Sequence, residues 1–191
     1  MKRWTKKDSG TIFSPVMYLM ILLLTAQLLI LFVEYKRVTW VSGAVTDSMT
    51  DALLGACTLN EDELYHYGTT GELEITNPKE KYNIFKKILS EELGLSEELL
   101  VTDHTLALLE DEVQIKDFRV YSVSGDDITF YDFDASGGYH TTVLPDMAGV
   151  YCIENGEVVG QTTLTAEIEF TVRFLGMPLK VGKYHIVDVT N

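Results

Sequence analysis

The sequence is poor in the residue patterns that build reactive chemistry. It has two cysteines in 191 residues, Cys57 and Cys152, with no Cys-x-x-Cys pair. Its four histidines, His66, His104, His140 and His185, are scattered without a His-x-x-x-His spacing, and no glycine-rich loop of the phosphate-cradling type occurs. These absences exclude the common zinc, thiol-redox and nucleotide motifs, so the expectation is a non-enzyme that needs no cofactor. No residue set favours a membrane-anchored hydrolase. Positive charge is scarce as well: 15 Lys and Arg stand against 29 Asp and Glu, a net charge of −14. Residues 1–33 hold Lys2, Arg3, Lys6 and Lys7 against Asp8, a net of +3, which leaves −17 on the remainder. Nucleic acid is excluded as a partner, because phosphate binding needs a basic face. The same imbalance argues against the distal part lying flat on anionic lipid. No internal repeat or low-complexity run is found.

What is present is one long apolar run. In GTIFSPVMYLMILLLTAQLLILFVEYKR, residues 10–37, eighteen residues from Val16 to Val33 carry no charge, and the uncharged stretch reaches back to Ser9. At 1.5 Å per residue, about 20 such residues cross the ~30 Å hydrocarbon layer as a helix. Pro15 falls where a first helical turn tolerates it, since its missing N–H has no partner to lose. Tyr18 at one end and Tyr35, Lys36, Arg37 and Trp40 at the other are suited to the two interfaces. A cleavable secretion signal has an apolar core of about 7–15 residues and a small-x-small site directly after it. This core is longer, and Phe32-Val33-Glu34-Tyr35 offers no such site, so the segment reads as a retained membrane helix. Four basic residues precede the span, while Lys36 and Arg37 follow it beside Glu34. That asymmetry predicts a cytoplasmic N-terminus and an extracytoplasmic C-terminal part. Within the span, Gln27 is a candidate intramembrane contact: its amide either bonds another helix or is simply tolerated in lipid.

The helical pattern continues beyond the interface. Val38, Val41, Val45, Met49, Ala52 with Leu53, and Ala56 recur at steps of three and four, with Thr39, Ser42, Thr46, Asp47, Thr50 and Asp51 opposite. This predicts one rod, half in lipid and half packed on the protein's own core, ending near Gly55-Ala56-Cys57. Residues 60–76 read as mixed, with Gly68 and Gly71 interrupting any long element. Asn77-Pro78 then announces a helix carrying Tyr82, Phe85, Ile88, Leu89 and Leu93 and stopping at Gly94. From Val113 the period drops to two. Strands are predicted over 113–116, 118–123, 128–133, 139–144, 150–153, 158–159, 164–174 and 184–189, with a hairpin turn at Asn155-Gly156 and a turn at Gly176-Met177-Pro178. The fold class is therefore α+β: a long N-terminal transmembrane helix, continuing as an amphipathic helix, packed on an antiparallel sheet. The organisation predicted is a basic cytoplasmic leader over 1–10, a transmembrane helix over 11–33, an amphipathic extension over 34–58 and an extracytoplasmic α+β domain over 59–191.

Two further patterns carry chemistry in principle. Asp132-Phe133-Asp134-Ala135-Ser136-Gly137 matches the first half of a calcium loop, with oxygens at its first, third and fifth positions and glycine at the sixth. The twelfth position, which needs a bidentate Glu, is Val143, so a solvated acidic turn is the stronger reading of Asp132 and Asp134. Cys57 and Cys152 enclose 94 residues. A bridge between them stabilises by at most about 4–5 kcal/mol in the chain-entropy model. The alternative is two small apolar side chains, and spacing leaves both open.

Lys6-Lys7-Asp8-Ser9-Gly10, then Thr11-Ile12-Phe13-Ser14-Pro15 and the apolar span, resembles the start of type IV pilin-like proteins. It looks most like the TadE-type minor pilins, or pseudopilins, of tight-adherence (Flp) pilus systems. The resemblance covers the first 57 residues, through Ala52-Leu53-Leu54-Gly55-Ala56-Cys57, and the rest by architecture. It implies leader cleavage between Gly10 and Thr11, and a pilin-like α+β domain outside the cell membrane. It also implies a role in assembling a surface pilus or secretion apparatus, with membrane lipid, other pilin-like subunits and assembly-platform proteins as partners. A departure is Pro15, at the fifth position after Gly10, where the family carries a Glu that pairs with a neighbouring subunit's N-terminal amine. The alternative function is a membrane-tethered extracellular binding or sensor module.

Overall fold

The computed structural model describes residues 13–103, 105, 109–134 and 136–189. Its first element, α1, is a single α-helix over Phe13–Ala56, 44 residues and about 66 Å long. Leu, Ile and Met dominate its first half, and Pro15 lies in its first turn, so nothing there competes with helical bonding. Tertiary cover is unevenly spread along it. Val16–Val33 are exposed throughout, Glu34 and Val38 are half-covered, and Val41, Val45, Met49, Ala52, Leu53 and Ala56 are fully buried. The predicted stripe is thus the packing face, residue for residue. The helix ends where Cys57 N–H donates to Leu53 O at 2.9 Å and Thr58 N–H to Gly55 O at 3.2 Å.

A short helix that the composition concealed follows, α2 over Glu61–Thr70. Asn60 and Glu63 form a reciprocal capping box, which satisfies two N-terminal N–H donors and starts the helix despite its polar content. Gly71, in the left-handed conformation at φ 76°, ends it, whereas Gly68 sits inside it. The expected break at Gly68 is therefore corrected. The third helix, α3 over Pro78–Leu93, begins at the Asn77 cap with proline in its first turn and stops at left-handed Gly94. Its buried Tyr82, Phe85, Leu89 and Leu93 pack beside α1. Gly55 is the point of closest approach, because a Cβ there meets the Ile88 side chain.

Five antiparallel strands complete the domain: β1 Leu109–Ser124, β2 Asp127–Phe133, β3 Tyr139–Leu144, β4 Thr163–Phe174 and β5 Met177–Asp188. They lie in the order β3-β2-β1-β4-β5, with β1 central. α1 and α3 cover one face, on Val113, Phe118, Val120, Phe133, Leu164, Ala166, Ile168, Phe170 and Val172. Tyr82, Phe118 and Phe133 join there with ring centroids 5.1–5.4 Å apart. The other face carries a smaller cluster of Tyr121, Ile128, Ile153 and Val159 beneath the segment between β3 and β4. Two strand expectations need correction. Asn155-Gly156 does turn, with Gly156 at φ 89°, and Ile153 N–H donates to Glu157 O at 3.0 Å and Val159 N–H to Tyr151 O at 2.9 Å across it. The flanking segments nevertheless pair through the single bridge of Cys152 with Val158 and not as full strands. Ile153 and Val159 pack against the sheet. Met177-Pro178 belongs to β5, and the turn is Leu175-Gly176. Proline is tolerated there because β5 is an edge strand.

One buried ion pair ties the helical layer together. Lys81 Nζ lies 2.6 Å from Glu63 Oε2 and donates to Thr58 O at 2.6 Å, with side-chain exposures of 1% for Lys81 and 0% for Glu63. Glu63 also accepts from Asn60 N–H at 3.1 Å and Thr76 N–H at 3.1 Å, so both oxygens of its carboxylate have donors. The end of α1, the start of α2 and the first turn of α3 are thereby locked to one another. Lys81→Ala strands that carboxylate without its cation, and urea unfolding of the detergent-solubilised chain is expected to show a loss of about 3–5 kcal/mol. The Glu63→Gln/Lys81→Met double variant, which buries no lone charge, is expected to lose distinctly less.

Candidate functional site

Two surfaces are candidates, and the first is the uncovered half of α1. Among the described residues α1 is the one helix long and apolar enough to cross a membrane, and none of its most apolar eighteen-residue window is buried. Leu19, Leu22, Leu23, Ile30 and Phe32 are all exposed around its circumference. A helix that is apolar on every side suits a lipid environment. Its polar positions are handled differently. Thr25 satisfies its own hydroxyl by donating to Ile21 O at 3.0 Å and Leu22 O at 2.9 Å. The exposed Gln27 amide has no partner among the described residues, which leaves it able to bond across to another helix.

The second surface lies on the sheet face turned away from α1. Strand alternation puts Asp117, Arg119 and Tyr121 of β1 on that face. The register sets Arg119 opposite Asp132 of β2 and Asp117 opposite Glu167 of β4. Arg119 gathers the carboxylates: its Nε lies 3.0 Å from Asp117 Oδ2 and 3.5 Å from Asp132 Oδ1, and its Nη1 donates to Glu154 Oε1 at 3.3 Å. The guanidinium also sits over the Phe130 ring, 5.9 Å from its centroid. One cation thus meets Asp117, Asp132 and Glu154, with Glu167 beside Asp117 across the strands. Burial pushes the Asp117 carboxyl up from 3.8 to about 6, Arg119 opposing the rise and the three other carboxylates adding to it. Burial pushes the Tyr121 hydroxyl up too. Burial acts to lower the Arg119 value, but Asp117, Tyr121 and Glu154 more than offset it and hold the guanidinium above its ordinary value. The cluster can take up one proton in mildly acid solution.

The residues singled out from sequence do not meet in one place. Gly10 and Thr11, the candidate cleavage pair, lie outside the described residues, as does His104. Cys57 and Cys152 are both free thiols. Cys57 packs against the core under α1, whereas Cys152 is exposed in the segment covering the opposite face, so the sheet stands between them. The bridge weighed for them is therefore not formed here. Of the alternative, two small apolar side chains, Cys57 fits and Cys152 does not. Burial pushes the Cys57 thiol up to about 11, with Asp188 adding and Lys81 opposing, which keeps it protonated and unreactive. Asp132 is committed to the Arg119 cluster. Asp134 Oδ1 accepts from Ser136 N–H at 2.8 Å and Gly138 N–H at 3.0 Å, so its carboxylate braces its own turn. The Ser136 hydroxyl and these two N–H donors hold it below the usual carboxylate range. Among the described residues no group of three or more His, Cys, Asp or Glu is placed to hold a metal ion. His185 instead ties β5 to α1 through Thr50 Oγ1, 3.1 Å from its Nε2. Sequence reading missed this contact and the Arg119 cluster, because both depend on register across elements.

No family model matches the chain, and neither a curated protein nor a solved structure matches it.

The Asp117 shift sets a pH dependence with a definite sign. A carboxyl raised in the folded state is penalised when ionised, so its cost is full above about pH 6 and gone below 3.8. This group's contribution to stability is therefore expected to improve as pH falls through that window. Carboxyl NMR should place the Asp117 midpoint near 6, and Asp117→Asn should flatten the corresponding part of a plot of unfolding midpoint against pH.

Proposed function

We propose that the chain is a non-catalytic, single-pass membrane subunit of the pilin-like, TadE type, which contributes to assembly of a surface pilus or secretion apparatus. Its N-terminus lies in the cytoplasm and its α+β domain is extracytoplasmic. Other pilin-like subunits and the assembly platform are its partners. The observation that carries this reading is the continuity of α1. One helix runs from the apolar half into the packed half without interruption, and the packed half is embedded from Val41 to Ala56. A subunit built this way couples lateral contacts in the bilayer directly to the placement of its outer domain. The unpartnered Gln27 amide supplies a directional contact for a neighbouring span, worth about 0.6–2 kcal/mol. The residue pattern from Lys6 to Ser14 supports the family by resemblance, and Pro15 departs from it.

Affinity capture of the full chain from detergent-solubilised native membranes tests the proposal. Co-purification of a pilus ATPase and platform proteins is the expected result. Recovery of the chain without them favours a tethered binding module instead. Deletion of the gene is expected to reduce surface fibres or adhesion severalfold, and undiminished fibres in the deletion strain would falsify the reading.

A further inference from the structure

We infer that the β4–β5 hairpin tip, Phe174-Leu175-Gly176-Met177-Pro178-Leu179, is a second membrane contact that dips into the bilayer surface beside α1. The inference rests on α1 spanning the membrane, as proposed above.

The position of the tip follows from one contact and two rises. His185 of β5 meets Thr50 of α1 at 3.1 Å, and Asp188 lies close enough to Cys57 to act on its thiol, so strand and helix run in the same direction. From Thr50 back to Val33 a helix covers about 26 Å, and from His185 back to Met177 a strand covers about 26 Å. Met177 therefore stands level with Val33, where the uncharged run of α1 ends. By the same rises Val181 on β5 stands level with Val41 on α1, and both pack in the main core, which fits that alignment. The tip also extends past its neighbour: the β1–β4 pairing ends at Leu109 opposite Val172, so among the described residues no strand pairs with β4 beyond Val172 on that side.

Its chemistry is wrong for a turn in water. Leu175 and Gly176 are the two loop residues, both left-handed, at φ 51° and 78°. A two-residue turn of this kind favours Asn-Gly, because Asn tolerates positive φ and bonds locally, while Leu does neither. Leu175 is not buried in return: it is 42% exposed, Met177 63% and Leu179 43%. Six consecutive residues carry no charge, and Arg173 and Lys180 flank them. Both cations are largely exposed, although Glu110 and Glu169 touch them, and both have stems long enough to reach lipid headgroups. The arrangement repeats that of α1, whose apolar run gives way to Lys36 and Arg37. The domain's overall negative charge confines the contact to this projection and makes a zwitterionic bilayer the fitting surface.

The test uses the full chain in zwitterionic nanodiscs containing lipids with nitroxide on the acyl chain. In a Cys57→Ser/Cys152→Ser background, an environment-sensitive fluorophore is placed in turn at Leu175→Cys, Met177→Cys, Leu24→Cys within the span, and Asp126→Cys at the opposite end of the sheet. The tip probes are expected to be quenched by lipid severalfold more than the Asp126 probe. Leu175→Asn, which suits the turn better and so preserves folding, is expected to reduce lipid quenching at Met177→Cys severalfold. Tip probes no more quenched than Asp126, with Leu24 strongly quenched, overturn the inference while leaving the membrane anchor standing. An unquenched Leu24 probe overturns both. Tip probes shielded from aqueous iodide yet untouched by the lipid nitroxide overturn it as well, and assign the tip to a protein surface.

Discussion

Everything in this architecture depends on one seam, the burial of Val41, Val45, Met49, Ala52, Leu53 and Ala56 against α3 and the sheet. α1 is asked to satisfy two solvents along one axis. Its first half offers apolar surface in every direction and gains nothing from the rest of the chain. Its second half restricts apolar residues to one stripe, and each fully buried Val, Leu or Met there stabilises by about 1.5–3 kcal/mol. Because the helix never breaks between these regimes, the seam fixes how the domain stands relative to the apolar half of α1. Gly55 allows α3 to close on the stripe, and the Glu63–Lys81 pair holds the chain ends that converge just beyond it.

The seam was legible in the sequence because its signal is purely periodic. Steps of three and four mean the same thing whether the face meets lipid or protein, and only the polar residues opposite distinguish the two. α3 was equally plain, since Asn77, Pro78 and Gly94 mark its ends by local stereochemistry. What escaped reading was whatever depends on neighbours. α2 is too polar to show an apolar face, although Asn60-x-x-Glu63 was there as a start signal. Pro178 suggested a turn because its tolerance in β5 comes from edge position, a property of the assembled sheet. The Arg119 cluster draws on β1, β2 and a loop, with β4 facing it, and no linear spacing joins Asp117, Asp132, Glu154 and Glu167.

Charge distribution follows the same division between inside and outside. The domain has few cations, and two of them, one buried and one half-buried, are absorbed internally. Lys81 is taken by Glu63, and Arg119 by Asp117, Asp132 and Glu154. Their removal from the surface sharpens the acidic character that the composition shows. A surface of that kind repels copies of itself and anionic lipid alike, so close association has to be driven by uncharged patches.

Uncharged exposed surface is densest along the first half of α1 and recurs at the Leu175–Leu179 tip, whereas the Arg119 carboxylates lie on the sheet face turned away from α1. Apolar contact is thus available along the first half of α1 and at the tip, and electrostatic repulsion dominates on the acidic face, unless a partner brings positive charge to it. Mild acidity acts on the same balance, because a proton taken up at Asp117 removes one of the charges that repel an acidic neighbour and attract a basic one.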